Sequence, residues 1–228
     1  MANESVCPFG PQLQHYWSRL SPLEQRMQID VEGLYSLAQQ SIMDQITTLI
    51  PGETAIDAFC GVGGSAIGLA RAGKQVISID SDAKRIAMAR HNAALFEVED
   101  RIEFRVGDTL KILPTLRADA IFLDPPWGGP DYSKQAKFHL KDFSPDGTTL
   151  LELSLDRATQ VIIRIPRNFE MSELSPYDGT FNLTENYLNQ KLMHYTAYFS
   201  NWFHATQTNQ SNRLKNNARI TGKPSRPE

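Results

Sequence analysis

Five short runs of apolar, largely β-branched residues recur through the middle of the chain: TAIDAF (54–59), QVISID (75–80), IEFRVG (102–107), AIFLD (120–124) and VIIRIP (161–166). Strands this apolar are buried on both faces. With helix-like stretches between them, they predict a mainly parallel sheet covered by helices on both sides. The helical stretches are Ser65 to Ala72 and Asp82 to Leu95. A further amphipathic helix is expected from Ser36 to Ile50, with Ser36 as N-cap, Leu37, Ile42, Ile46 and Leu49 near helical spacing, and Pro51-Gly52 as the stop. LMHYTAYF (192–199) reads as a late strand and a candidate for antiparallel pairing.

A chain of 228 residues with 41% hydrophobic and 21% charged residues is long enough for a full core, which excludes stapled mini-proteins and wholly disordered classes. Cys7 and Cys60 make no disulfide framework, and the absence of CxxC or His/Cys clusters gives no zinc motif, so a reducing compartment is expected. The N-terminal residues lack a basic, apolar leader, and no apolar run approaches the ~18 residues of a membrane span. No membrane association is expected, and the chain is read as a monomer. Residues 207–228 hold five basic side chains against Glu228, a net of plus 4, which leaves minus 7 on residues 1–206. A basic tail on an acidic body suits an anionic polymer. The expected organisation is a small helical N-terminal extension (1–35) reaching the site, a main domain (36–206) and a basic, disordered tail (207–228).

After the first run comes Asp57-Ala58-Phe59-Cys60-Gly61-Val62-Gly63-Gly64, leading straight into a helix. Glycines let a ligand approach the backbone, and the helix start offers free N–H groups. The G-x-G-x-x-G spacing of dinucleotide loops fails at the third glycine, and Asp57 at the loop mouth repels phosphate while suiting an ammonium group. The methionyl end of S-adenosyl-L-methionine carries one. Asp80 ends the second run, 19 residues after Gly61, where an acid accepts ribose hydroxyls, and Asp108 follows the third, placed for an adenine amine.

The fourth run ends in Asp124-Pro125-Pro126-Trp127, followed by Gly128-Gly129-Pro130-Asp131-Tyr132. Two prolines stiffen this turn. A prolyl carbonyl and a neighbouring carboxylate each accept a hydrogen bond from an exocyclic amine, turning its nitrogen toward a methyl donor, and the indole offers a stacking surface.

At these residues the chain resembles the class I methyltransferases, and within them the trimethylguanosine synthase family, which methylates N2 of the RNA cap guanine. The likeness covers roughly residues 15–200 and rests on DAFCGVGG (57–64), RIAMARHNA (85–93), PPWGGPDY (125–132), IPRN (165–168) and ENYLNQKL (185–192). Family members usually carry Ser before the two prolines; this chain has Asp124.

The resemblance implies a Rossmann-like α/β fold with a seven-stranded sheet. It implies that Trp127 stacks on 7-methylguanine and that Asp57 and Asp80 hold the methionyl and ribose parts of the cofactor, with Phe59, Cys60, Gly61, Gly63 and Asp108 beside them and Tyr35 as a lid. Asp124, Pro125 and Trp127 are then the catalytic candidates. Arg167, Asn168, Tyr132 and Arg26 are the candidates for the rest of the cap. The implied substrate is m7G-capped RNA of the snRNA or snoRNA type, delivered by ribonucleoprotein partners in the nucleus or nucleolus, with the cytoplasm as alternative. Two rival readings stay open: another amino-group methyltransferase, such as an adenine-N6 enzyme, and a catalytically silent cap-binding module.

Overall fold

The computed structural model describes residues 6–129 and 134–200. Seven strands form one sheet in the order β3-β2-β1-β4-β5-β7-β6: β1 (Thr54–Asp57), β2 (Gln75–Asp80), β3 (Ile102–Val106), β4 (Ala118–Leu123), β5 (Ala158–Ile165), β6 (Phe181–Leu188) and β7 (Lys191–Ser200). The first five are parallel, with Ile56 level with Ile77 on one side and Ile121 on the other, whereas β7 runs antiparallel between β5 and β6. The expected late strand is therefore present and antiparallel.

Successive side chains leave opposite faces of a strand, and both faces here are dry. On β4, Ala120 and Phe122 join one apolar cluster, while Ile121 and Leu123 join the other. The first cluster lies under α3 (Gln40–Thr47), α4 (Gly64–Arg71) and α5 (Ala83–Leu95); the second includes α7 (Gly147–Leu155). None of these helices is long and apolar enough to cross a membrane.

The single helix expected from Ser36 to Ile50 is two. Ser36 is not an N-cap but the last residue of α2 (Val31–Ser36), which is capped by Asp30 accepting from the Gly33 N–H at 2.5 Å. The chain leaves helical geometry at Leu37 (φ −50, ψ 122) and re-enters at Gln40. The break buries Leu37, Ala38 and Gln39 beneath the start of α4, where a Cβ on Gly64 would stand 2.7 Å from the Ala38 carbonyl oxygen.

The N-terminal residues are built into the main domain. Trp17, at the end of the short helix α1 (Gln14–Trp17), Leu20, Met27 and Leu34 belong to the first cluster, and Glu24, buried, accepts from the Ser21 and Gln40 backbone N–H groups at 2.8 Å each. Asn92 on α5 is the fastening: it accepts from the Gln28 N–H at 2.7 Å and donates to the carbonyls of Gln28 at 2.9 Å and Val62 at 2.8 Å. Removing those bonds leaves the buried Val62 carbonyl and the part-buried Gln28 backbone without these partners. Asn92→Ala is expected to lower unfolding free energy by about 2–4 kcal/mol, read by urea denaturation; a loss within error of zero would show that this joint carries no stability.

Candidate active site

Strand order reverses between β1 and β4, and in open α/β sheets ligands bind outside the carboxyl ends at such a point. Asp57 ends β1, Asp80 ends β2, Asp124 follows β4, and Arg164 lies one residue before the end of β5. Antiparallel β7 brings its start to the same edge, since Arg164 is level with Thr196 and Ile165 with Tyr195.

The turn after β1 is tied at both sides: the Ala58 N–H donates to the Phe122 carbonyl at 3.0 Å and the Cys60 N–H to the Ile79 carbonyl at 2.7 Å. Gly63 has φ +96 and packs on α5, where a Cβ would stand 3.1 Å from Ala89, so a side chain there meets both strain and backbone. Gly61, with φ +51, has no atom within 4 Å of a would-be Cβ; the space above it is open. Its N–H donates to Asp80 Oδ2 at 2.8 Å, and the Asp82 N–H donates to Oδ1 at 2.8 Å. Each Asp80 oxygen keeps further acceptor capacity, which fits a vicinal diol. Burial pushes this half-buried carboxyl's pKa up, and the two backbone N–H groups oppose the rise.

Asp57 lies under the loop instead of at its mouth. It has no exposed surface: Oδ2 accepts from the Ser65 and Ser78 hydroxyls at 3.0 Å each, and Oδ1 accepts from the Phe59 N–H at 3.4 Å. The expected direct contact with an ammonium group thus finds no open carboxylate surface here; Asp57 braces β1, β2 and α4 from below. Burial pushes its pKa up to about 7, with Ser78 and Ser65 opposing. Because the folded value lies above the ordinary 3.8, the folded state holds a proton that the unfolded chain releases between about pH 4 and 7. The stability this gives is present at low pH and is lost as pH rises through about 7. Asp57→Asn is expected to remove that decline from a pH series of denaturation curves; equal slopes in both proteins would contradict it.

Phe59 is half-buried beside the second apolar cluster, and Cys60 is buried with its thiol pKa raised well up by burial. Asp108 caps α6 (Thr109–Ile112) through the Leu110 N–H at 2.9 Å, with its side chain partly exposed. Tyr35 is half-buried on α2, edge-on to Tyr16 at 5.3 Å, and α2 approaches the loop closely: a Cβ on Gly33 would lie 2.8 Å from Val62 Cγ1.

In the DPPW turn, Pro125 is buried and Pro126 exposed. The Pro126 carbonyl accepts from the Ser144 N–H at 3.3 Å, whereas the Pro125 carbonyl accepts no hydrogen bond among the described residues. Asp124 is half-buried and bonded through Oδ2 to Arg164 Nη1. Burial pushes the Asp124 carboxyl pKa up, and the guanidinium opposes that rise. The Arg164 guanidinium carbon stands 5.6 Å from the centroid of the half-buried Trp127 ring, and His194 meets the same ring edge-on at 6.4 Å. Burial, then Arg164, holds the His194 pKa well below its ordinary value, so the imidazole is neutral. Neither Arg164 nor His194 was among the sequence candidates. An arginine inside VIIRIP was the available signal for the first; the histidine in LMHYTAYF offered none.

Arg167 is exposed just beyond β5, and Asn168 knits its loop to the segment after the DPPW turn, donating to the Gln135 carbonyl at 3.0 Å while its own carbonyl accepts from the Phe138 N–H at 2.9 Å. Arg26 is exposed, and its side chain makes no hydrogen bond or ion pair among the described residues. Tyr132 and residues 207–228 lie outside the described residues. Those described contain no group of three His, Cys, Asp or Glu fit to hold a metal ion.

A seven-stranded sheet of this order, with a glycine loop after β1 and an acid ending β2, defines a class I methyltransferase. Residues 52–216 match the model of the RNA cap guanine-N2 methyltransferase family, and the chain belongs to that family. Trimethylguanosine synthase of Schizosaccharomyces pombe is 31% identical over 78% of this chain and 80% of its own length. Its namesake from Saccharomyces cerevisiae is 33% identical over 54% of this chain, which spans 41% of that protein. Among solved structures, a putative methyltransferase from Porphyromonas gingivalis superposes with a TM-score of 0.65 at 17% identity, covering 83% of this chain and 47% of that one. The cofactor is S-adenosyl-L-methionine, and the open space over Gly61 with the half-buried Asp80 beside it fits a nucleoside of this kind.

Proposed function

We propose that this chain methylates N2 of the guanine in an m7G RNA cap, yielding a 2,2,7-trimethylguanosine cap on RNAs of the snRNA or snoRNA type in the nucleus. The observation that carries this reading is the meeting, at one edge of the sheet, of the Asp80–Gly61 loop with the Asp124-Pro125-Pro126-Trp127 turn. Family membership supports the cap guanine as acceptor.

When bound, the cofactor supplies a methyl group already activated on a sulfonium. No covalent nucleophile of the protein is needed, so the chain's task is placement. Asp80 and the Gly61–Gly63 loop hold the nucleoside, and Asp57 keeps the loop in register from below. Trp127 carries the purine. Asp124 Oδ1, left over from its bond to Arg164, accepts one N–H of the exocyclic amine, and the Pro125 carbonyl accepts the other, so the N2 lone pair is directed at the methyl carbon. A methyl group supplied in this way would leave N2 positively charged and acidic. The proton shed by the now acidic nitrogen passes by way of Asp124 to solvent, so a strong base is not required. Arg167 meets the cap phosphates, and partner proteins of the RNA deliver the substrate.

Transfer of labelled methyl from S-adenosyl-L-methionine to capped and to uncapped transcripts of one RNA tests the reading. Label is expected in the capped RNA alone and removable with the cap. Equal labelling of both RNAs, or label on adenine, would favour the amino-group rival.

A further inference from the structure

Arg164 is a buried cation inside an apolar strand, with a side chain 9% exposed, and its one ion pair among the described residues is to Asp124, 15% exposed. The guanidinium carbon lies over the half-buried Trp127 ring, 5.6 Å from its centroid. A base stacked on the face away from the guanidinium lies ~3.5–4 Å from the ring. A cationic purine there stands roughly 9 Å from the guanidinium, and at an effective dielectric of about 20 two like charges at that distance oppose binding by a factor of about twenty. Unless that charge is cancelled, Trp127 is a poor platform for a cation. His194, edge-on to the same ring, is neutral and adds no charge.

We propose that the Asp124–Arg164 pair is a specificity determinant of the cap site: Arg164 packs over the Trp127 ring, and the Asp124 carboxylate cancels the Arg164 charge so that a base stacked on the opposite face is favoured when it is positively charged. The proposal rests on Trp127 as the cap platform. Its signature is a change in the ratio of affinities for charged and uncharged bases, which a purely structural pair leaves untouched. Arg164 is thus a positioning residue, and Asp124 acts twice, as amine acceptor and as counter-ion.

The test is the ratio of dissociation constants for m7GTP and GTP, read by quenching of intrinsic fluorescence, with the same ratio of kcat/KM on the corresponding cap dinucleotides. Asp124→Asn keeps size and an acceptor oxygen but removes the negative charge; the m7G preference is expected to fall by a factor of about ten. Adding Arg164→Gln to it removes the stranded cation and is expected to restore the ratio to within about threefold of the parent, whatever the loss in kcat. Asp124→Ser, which is smaller and also uncharged, is expected to match Asp124→Asn and covers the case that the amide variant fails to fold. Single variants that weaken m7GTP and GTP equally would overturn the proposal while leaving the cap reading intact. A parent protein that binds m7GTP no better than GTP would overturn both, and is recognised before any variant is made.

Discussion

Trp127→Ala is expected to lose about 1–3 kcal/mol of base stacking, a five- to 150-fold drop in affinity for an m7G cap dinucleotide, and nearly all turnover. Trp127→Phe keeps a ring of weaker π face and is expected to retain partial activity with a narrower preference for m7G over G, because the cation–π contribution falls while dispersion largely remains. S-adenosyl-L-methionine affinity is expected to change little in either variant. Isothermal titration with cofactor and cap ligand separately, alongside circular dichroism, reads these effects apart. Unfolding of the alanine variant, or full activity with undiminished m7G preference, would make Trp127 a packing residue against Arg164 and His194 and nothing more.

Asp80→Ala is expected to weaken S-adenosyl-L-methionine binding by about 1.5–3 kcal/mol, roughly ten- to 150-fold, since hydrogen bonds to a charged acceptor are lost. The same change frees the Gly61 and Asp82 N–H groups that the carboxylate now holds, so loop geometry suffers with the ribose contact. Asp80→Asn separates the two causes: its single carbonyl oxygen retains one acceptor and places an NH₂ against the other N–H. Calorimetric binding within about twofold of the parent for both variants would sink the ribose assignment.

The parallel part of the sheet was legible because its strands are buried on both faces and read as unbroken apolar runs; QVISID is β2 to the residue. Of the β6–β7 hairpin only the second strand was, as LMHYTAYF. FNLTENYL mixes polar and apolar residues on an edge strand, and the turn is made by Asn189 and Gln190 in left-handed conformation, φ 49 and 65, with no glycine to announce it. ENYLNQKL was read as a family motif and proves to be that hairpin. The acids at the strand ends were legible by position, but their partners were not. Ser65 and Ser78 turn Asp57 inward, and Arg164 takes one oxygen of Asp124; both are pairings across 8 to 40 residues that only the sheet brings together. The extension was read as a small helical appendage reaching the site, yet its fastening through Asn92 lies inside RIAMARHNA, where nothing in the helical pattern distinguishes a structural amide from a surface one.

The most direct test of the central claim is mass spectrometry of an m7G cap dinucleotide after incubation with the protein and S-adenosyl-L-methionine. One or two added methyl groups are expected, both on the exocyclic nitrogen of the 7-methylguanine base in the fragment spectrum, and none on an unmethylated G cap under the same conditions. An unchanged m7G cap, or methylation confined to the second nucleotide, would contradict the account.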